Sequence, residues 1–135
     1  YKRLYPTMAK VFIQLAALNG ALAVIIGAFG AHALKARLTP ELLSVYETGV
    51  QYHFWHALAL LAIGILAYQL PDSRTLIASG IAFLVGIILF SGSLYLLAST
   101  EIRHIGFMPV GLITPFGGMS FIIGWLLLLF SSFNI

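Results

Sequence analysis

No Asp, Glu, Lys or Arg interrupts residues 11–34, 48–71, 75–100 or 104–135. Four charge-free runs of this length constrain the fold more than any other feature of the chain. A bilayer core about 30 Å thick is crossed by about 20 apolar helical residues, each rising 1.5 Å. The apolar stretches predict four transmembrane helices, over about 11–33, 51–70, 76–98 and 115–133. Each is apolar on all faces, as a lipid-exposed helix is. Membrane strands would be half as long and would alternate. The fold class predicted is all-α, an integral membrane bundle of four antiparallel helices in one domain, 1–135.

Composition closes the other routes. The chain is 61% hydrophobic and 8% charged, too few charges to cover a water-soluble monomer. The net charge of +3 is scattered, which excludes a nucleic-acid-binding stripe. There is no cysteine, so no disulfide, thiolate nucleophile or Cys-ligated metal. Lys2, Arg3 and Lys10 ahead of an apolar run, with Ala31-His32-Ala33 beyond it, have the outline of a signal peptide. The run is about twice the usual 7–15-residue signal core, so a span is expected instead.

The connections carry capping signals. Thr39-Pro40-Glu41 combines an N-cap, a first-position proline and an acid in the first turn. A helix is expected from Pro40, lying along the interface before a bend near Gly49. Asp72 or Ser73 should cap the third helix. An interior proline costs about 3 kcal/mol, whereas one at the first position costs little. Thr114 is therefore expected to cap a fourth helix that begins at Pro115, with 106–113 as a connection. Four spans put both termini on one side, with Lys2, Arg3, Lys10 and Arg74 there against Lys35, Arg37 and Arg103 opposite. This predicts cytoplasmic termini in a bacterial cytoplasmic membrane.

Folded up and down, the chain gathers polarity at the end away from the termini. His32, Gln51, Tyr52, His53, His56, Tyr95 and Thr114 are the candidate pocket. Gly27, Gly30, Gly86, Gly92, Gly117, Gly118 and Gly124 are the candidate close-packing positions. Ala23, Gly27 and Ala31 recur every four residues with Asn19 on the same stripe, a spacing that lets helices approach within a monomer or across an oligomer seam. Gln14, Asn19, Ser79, Ser131, Ser132 and Asn134 are the polar residues expected in the opposite half.

Several blocks carry a family resemblance: Gly27-Ala-Phe-Gly-Ala-His-Ala-Leu34, Thr48-Gly-Val-Gln-Tyr-His-Phe-Trp-His-Ala57, Leu89-Phe-Ser-Gly-Ser-Leu-Tyr95, Thr114-Pro-Phe-Gly-Gly118 and Gly124-Trp125. In this order they resemble the YgdD/YwdK-type family of small bacterial membrane proteins, and are similar to the eukaryotic transmembrane-256 proteins. The resemblance implies a four-helix membrane protein and no enzymatic activity.

The residues themselves admit two functional classes. One is a binding, accessory or membrane-integrity protein whose partners are the bilayer, other membrane proteins or a small apolar ligand. It has no catalytic residues, metal or cofactor, and homo-oligomers are compatible with it. The other is a redox component in which the same histidines hold a metal, together with Glu47, or a haem or quinone by themselves. Histidines as plain structural hydrogen-bonders fit the first class. No charge lies deep in a span, which argues against a pump or proton-coupled carrier. No nucleophile–base set is evident.

Overall fold

The computed structural model describes residues 8–135. Lys2 and Arg3, which weigh in the orientation expectation, lie outside the described residues. Four long helices follow one another: α1 (Met8–Leu34), α2 (Pro40–Gln69), α3 (Arg74–Ser99) and α4 (Val110–Ser132). All four are long and apolar enough to cross a bilayer. The loops between the first three helices are short, which makes those neighbours antiparallel. Between α3 and α4 lies a small antiparallel hairpin, β1 (His104–Ile105) and β2 (Met108–Pro109), in which His104 pairs with Pro109. Its turn needs a left-handed residue, and Gly106 supplies it at φ 62°.

The helix starts follow from local chemistry at two ends and from packing at a third. The Leu42 N–H donates to Thr39 Oγ1 at 3.2 Å, so Thr39 caps α2 with Pro40 in its first turn. The Leu76 N–H donates to Ser73 Oγ at 3.2 Å and fixes the start of α3. The bend expected near Gly49 is absent. α2 is one continuous helix of 30 residues, about 45 Å long. Gly49 is buried against the Tyr95 ring of α3, so the glycine there serves contact rather than flexure.

The expected start of α4 at Pro115 is also corrected. The helix begins at Val110, and Pro115 lies inside it. Thr114 does not cap it. Its Oγ1 instead shares a hydrogen bond with Ser93 Oγ of α3. Pro115 has no N–H to donate to the carbonyl four residues back, which belongs to Gly111, so one bond of the helix ladder is missing there. The interhelical bond outweighs the local preference that placed the proline at a helix start.

Core packing centres on α2. Leu60 and Ile63 are fully buried among Ala9, Phe12 and Ala16 of α1, Leu76, Phe83 and Ile87 of α3, and Phe121 of α4. α1 packs mainly on α2, and α3 mainly on α4, with α2 and α3 joining the two pairs. α4 reaches α2 across a layer of aromatic rings. The outward faces carry Leu18, Val24, Ile25, Ile65, Ile88 and Ile122, apolar side chains suited to lipid.

The glycines divide on contact. A methyl group at Gly27, Gly30, Gly86, Gly117 or Gly124 would press on Val50, Tyr46, Phe121, Phe90 or Phe83, respectively. At Gly118 it would meet the Phe90 ring at 3.8 Å, an ordinary contact. At Gly92 it would meet nothing within 4 Å, which removes Gly92 from the close-packing set. Gly49, Gly64 and Gly80 join that set, against Tyr95, Ile13 and Phe12. Oxygen ligation across the α3–α4 seam uses the same closeness. Ser79 Oγ donates to the Gly124 carbonyl at 2.7 Å and Ser120 Oγ to the Ala82 carbonyl at 2.7 Å.

The topology is open to a direct test because the chain has no cysteine. Asp72 and Glu101 are exposed, in the α2–α3 and α3–α4 connections. Single Asp72→Cys and Glu101→Cys variants in sealed vesicles are expected to react with a membrane-impermeant maleimide from opposite sides. Labelling of both from one side would contradict the four-span arrangement.

Candidate functional site

Two histidines of α2 stand near its middle. His53 lies 13 residues after Pro40, about 20 Å along the helix, and His56 about 24 Å. A span beginning at residue 51 would have put both at a membrane face. The longer helix puts them within about 5 Å of its own midpoint, where a polar ring in a membrane span is costly unless it is partnered. Both are buried.

Each histidine survives there because every ring nitrogen is satisfied. His53 Nε2 is 2.9 Å from Asn19 Oδ1 of α1, and Nδ1 is 2.9 Å from the Tyr95 hydroxyl of α3. The Asn19 Nδ2 donates to the Leu15 carbonyl at 2.8 Å, which fixes its amide orientation. An amide oxygen only accepts, so Nε2 of His53 carries the proton and Tyr95 donates to Nδ1. His56 takes the opposite tautomer. Its Nδ1 donates to the Tyr52 carbonyl at 2.8 Å, and its Nε2 accepts from Trp125 Nε1 at 3.1 Å. The two rings tie α2 to each of the other helices. Among the described residues no buried side-chain nitrogen or oxygen is left without a partner.

Around His56 the aromatic rings form a continuous wall. The imidazole stacks on Phe121 with centroids 3.6 Å apart. Tyr52 lies 4.7 Å from Phe90, and Trp125 lies 5.0 Å from Phe83. A wide π-helical turn over Ile87–Ser91 interrupts α3 at this level. Such turns reorient side chains and recur at functional positions. Phe90 from that turn lines the groove, while Ser91 Oγ donates to the Gly49 carbonyl of α2 at 2.8 Å.

Between α2 and α4 this wall lines a groove of about 770 Å³ that opens sideways. Tyr52, Trp55, His56 and Leu58 of α2 face Pro115, Met119 and Trp125 of α4. A volume of this size holds a small organic molecule. A smaller groove of about 390 Å³ lies between α1 and α2 beside Gly27, Gly30, Tyr46, Glu47 and Gln51.

The seven candidate pocket residues therefore do not form one pocket. Tyr52 and His56 line the large groove. His53 and Tyr95 pair behind it with Asn19. Thr114 is bonded to Ser93 near the start of α4. Gln51 is exposed beside the smaller groove, and His32 is exposed at the end of α1. His32 does not meet the other histidines, because their partners come from Asn19, Tyr95 and Trp125. Asn19, Trp125, Phe121, Phe90 and Trp55 are the site residues that the sequence reading left out. Asn19 had a usable signal, an amide in a span among small residues; Trp125 had one in its place beside Gly124.

Among the described residues no three His, Asp or Glu side chains come together as ligands for one metal. The ring nitrogens of His53 and His56 are engaged by Asn19, Tyr95, Tyr52 and Trp125, so neither presents a lone pair to a metal or haem iron.

The fold and site define a small four-span membrane protein, held by buried histidine ties and grooved on one lipid-facing side. The chain belongs to the family described as "Protein of unknown function (DUF423)", which matches residues 26–118. It is 46% identical over 119 residues to UPF0382 membrane protein YwdK of Bacillus subtilis (strain 168), covering 88% of this chain and 93% of that protein. It is 47% identical over 128 residues to UPF0382 membrane protein SSP2132 of Staphylococcus saprophyticus, covering 93% and 99%. A UPF0382 membrane protein of Haemophilus influenzae is 40% identical over 127 residues, covering 94% and 97%. No solved structure matches the chain significantly.

Proposed function

We propose that this protein is a lipid-phase binding protein rather than an enzyme, and that the α2–α4 groove receives a small apolar molecule from the surrounding bilayer. The observation that carries the reading is the sideways opening of a 770 Å³ aromatic-walled groove. A ligand diffusing in the membrane reaches it without crossing water. Binding as an accessory to other membrane proteins is compatible with the same groove. The location that accompanies this reading is a bacterial cytoplasmic membrane with cytoplasmic termini. Bacterial relatives support the first part. For orientation, Lys10 and Arg74 stand against Lys35, Arg37 and Arg103, so the bias toward cytoplasmic termini rests on Lys2 and Arg3.

Both tryptophans of the chain, Trp55 and Trp125, line the groove, so intrinsic fluorescence reports on it. Methyl dibromostearate added to protein in phosphatidylcholine vesicles is expected to quench with a saturable component. Gly118→Leu should abolish that component, because Gly118 lines the groove and its first added carbon fits without clash. Quenching that stays linear in the native protein, or is unchanged in Gly118→Leu, would remove the groove as a binding site.

A further inference from the structure

We propose that the α2–α4 groove selects a neutral isoprenoid carrying a ring carbonyl, the chemical class of the long-chain quinones, and holds its oxygen at the Tyr52 hydroxyl and the Trp55 indole N–H. The proposal concerns binding alone and rests on the groove being a ligand site. It adds the identity of the ligand's head, which the groove's polar inventory determines.

Four polar side-chain groups line this groove. Two are already committed, since His56 Nε2 and Trp125 Nε1 bond to each other and His56 Nδ1 bonds to the Tyr52 carbonyl. The Tyr52 hydroxyl and the Trp55 indole N–H have no hydrogen-bond partner among the described residues. They belong to rings 5.2 Å apart. An indole N–H only donates, and a phenol donates readily, so the pair calls for an acceptor. In hydrocarbon no water supplies one.

Charge narrows the class. No Asp, Glu, Lys or Arg lines the groove, so an anionic or cationic head would be uncompensated in a low-dielectric site. Depth narrows it further. Tyr52 lies 12 residues after Pro40, about 18 Å along a helix about 45 Å long, and so within about 5 Å of the helix midpoint. The ester carbonyls of a phospholipid sit at the edges of a hydrocarbon core about 30 Å thick, far from this level. A neutral molecule whose carbonyl lies within the membrane interior meets the requirement. The walls fit the rest of such a molecule. Tyr52 and Phe90, half-buried along the groove with centroids 4.7 Å apart, offer ring surface to a conjugated head, while His56 and Phe121 are stacked on each other and buried. From Pro115 to Trp125 the groove runs about 15 Å along α4, enough for several isoprene units.

The test uses the full chain in phosphatidylcholine nanodiscs, with menaquinone-4 and squalene as probes and native mass spectrometry to count bound molecules. Squalene supplies isoprenoid bulk without an acceptor. Menaquinone-4 is expected to bind saturably and at least threefold tighter than squalene. Tyr52→Phe keeps the ring and is expected to weaken menaquinone-4 roughly three- to tenfold, the worth of one hydrogen bond, while leaving squalene unchanged. Trp55→Phe provides the second variant and should act in the same direction. Equal binding of the two probes overturns the carbonyl assignment while the groove reading stands. So does an unchanged menaquinone-4 affinity in both variants. If neither probe binds but methyl dibromostearate still quenches saturably, the quinone class is wrong and the groove takes another apolar molecule. If no probe binds, both readings fall.

Discussion

Replacing Gly117 with leucine is expected to destabilise the bundle by about 3 kcal/mol or more, at or above the usual overpacking range. A carbon added there would collide with the Phe90 backbone itself, nitrogen and Cα included. Backbone inside a packed helix cannot swing aside as the tip of a side chain can, so α3 and α4 would have to separate. Separation would also stretch the Ser120–Ala82 and Ser79–Gly124 bonds that seal the same seam. Gly92→Leu is the matched control. Its added carbon meets nothing within 4 Å, and the expected change is about 0.5 kcal/mol or less. Unfolding in mixed micelles of dodecyl maltoside and sodium dodecyl sulfate, followed by circular dichroism, measures both. Equal midpoints for the two variants would show that α3–α4 closeness does not determine stability.

His53→Leu is expected to cost about 1–3 kcal/mol, because it strips partners from two other helices at once. Asn19 Oδ1 and the Tyr95 hydroxyl would both be left facing an apolar side chain. Single interhelical bonds in membranes average about 0.6 kcal/mol, so a loss at the upper end would show that the three residues act as a unit. The Asn19→Leu/His53→Leu double variant distinguishes the contributions. It should be clearly more stable than the sum of the two single losses predicts, since the second substitution removes a group that the first had orphaned. Strict additivity in the same unfolding assay would mean that Asn19 and His53 are not coupled across the α1–α2 interface.

The expected ligand effects and these stability effects separate cleanly on the structure. His53 sits behind the groove among helices, whereas Tyr52 and Trp55 face into it. A variant at His53 should alter unfolding with its ligand selectivity intact, and Tyr52→Phe should do the reverse.

The charge-free runs by themselves determined that the chain crosses a membrane four times as helices. Length and hydropathy act locally, so no knowledge of neighbours is needed to count spans. Thr39 and Ser73 as caps were legible for the same reason, since a cap bonds within its own first turn. That Tyr52 and His56 line a groove between helices follows from the same sequence logic, because polar rings in a span must find a partner or line a cavity. The failures share one cause, which is competition between local preference and contact with another helix. Thr114 has the right chemistry for a cap, but Ser93 offered it an interhelical bond, and α4 ran through Pro115 back to Val110. Gly49 looks like a hinge in one dimension and is a landing site for Tyr95 in three. Gly92 belongs to a glycine-bearing motif yet faces open space, because which side of a helix meets a neighbour depends on how the helices rotate against each other. That rotation also decided the histidine partners. Sequence places His32 at the end of α1, but only packing shows that it points away while Asn19, two turns deeper in the membrane than the Gly27 contact, turns its amide to His53. Tertiary structure alone created the groove, since its walls come from residues sixty positions apart whose shared depth follows from the true lengths of α2 and α4.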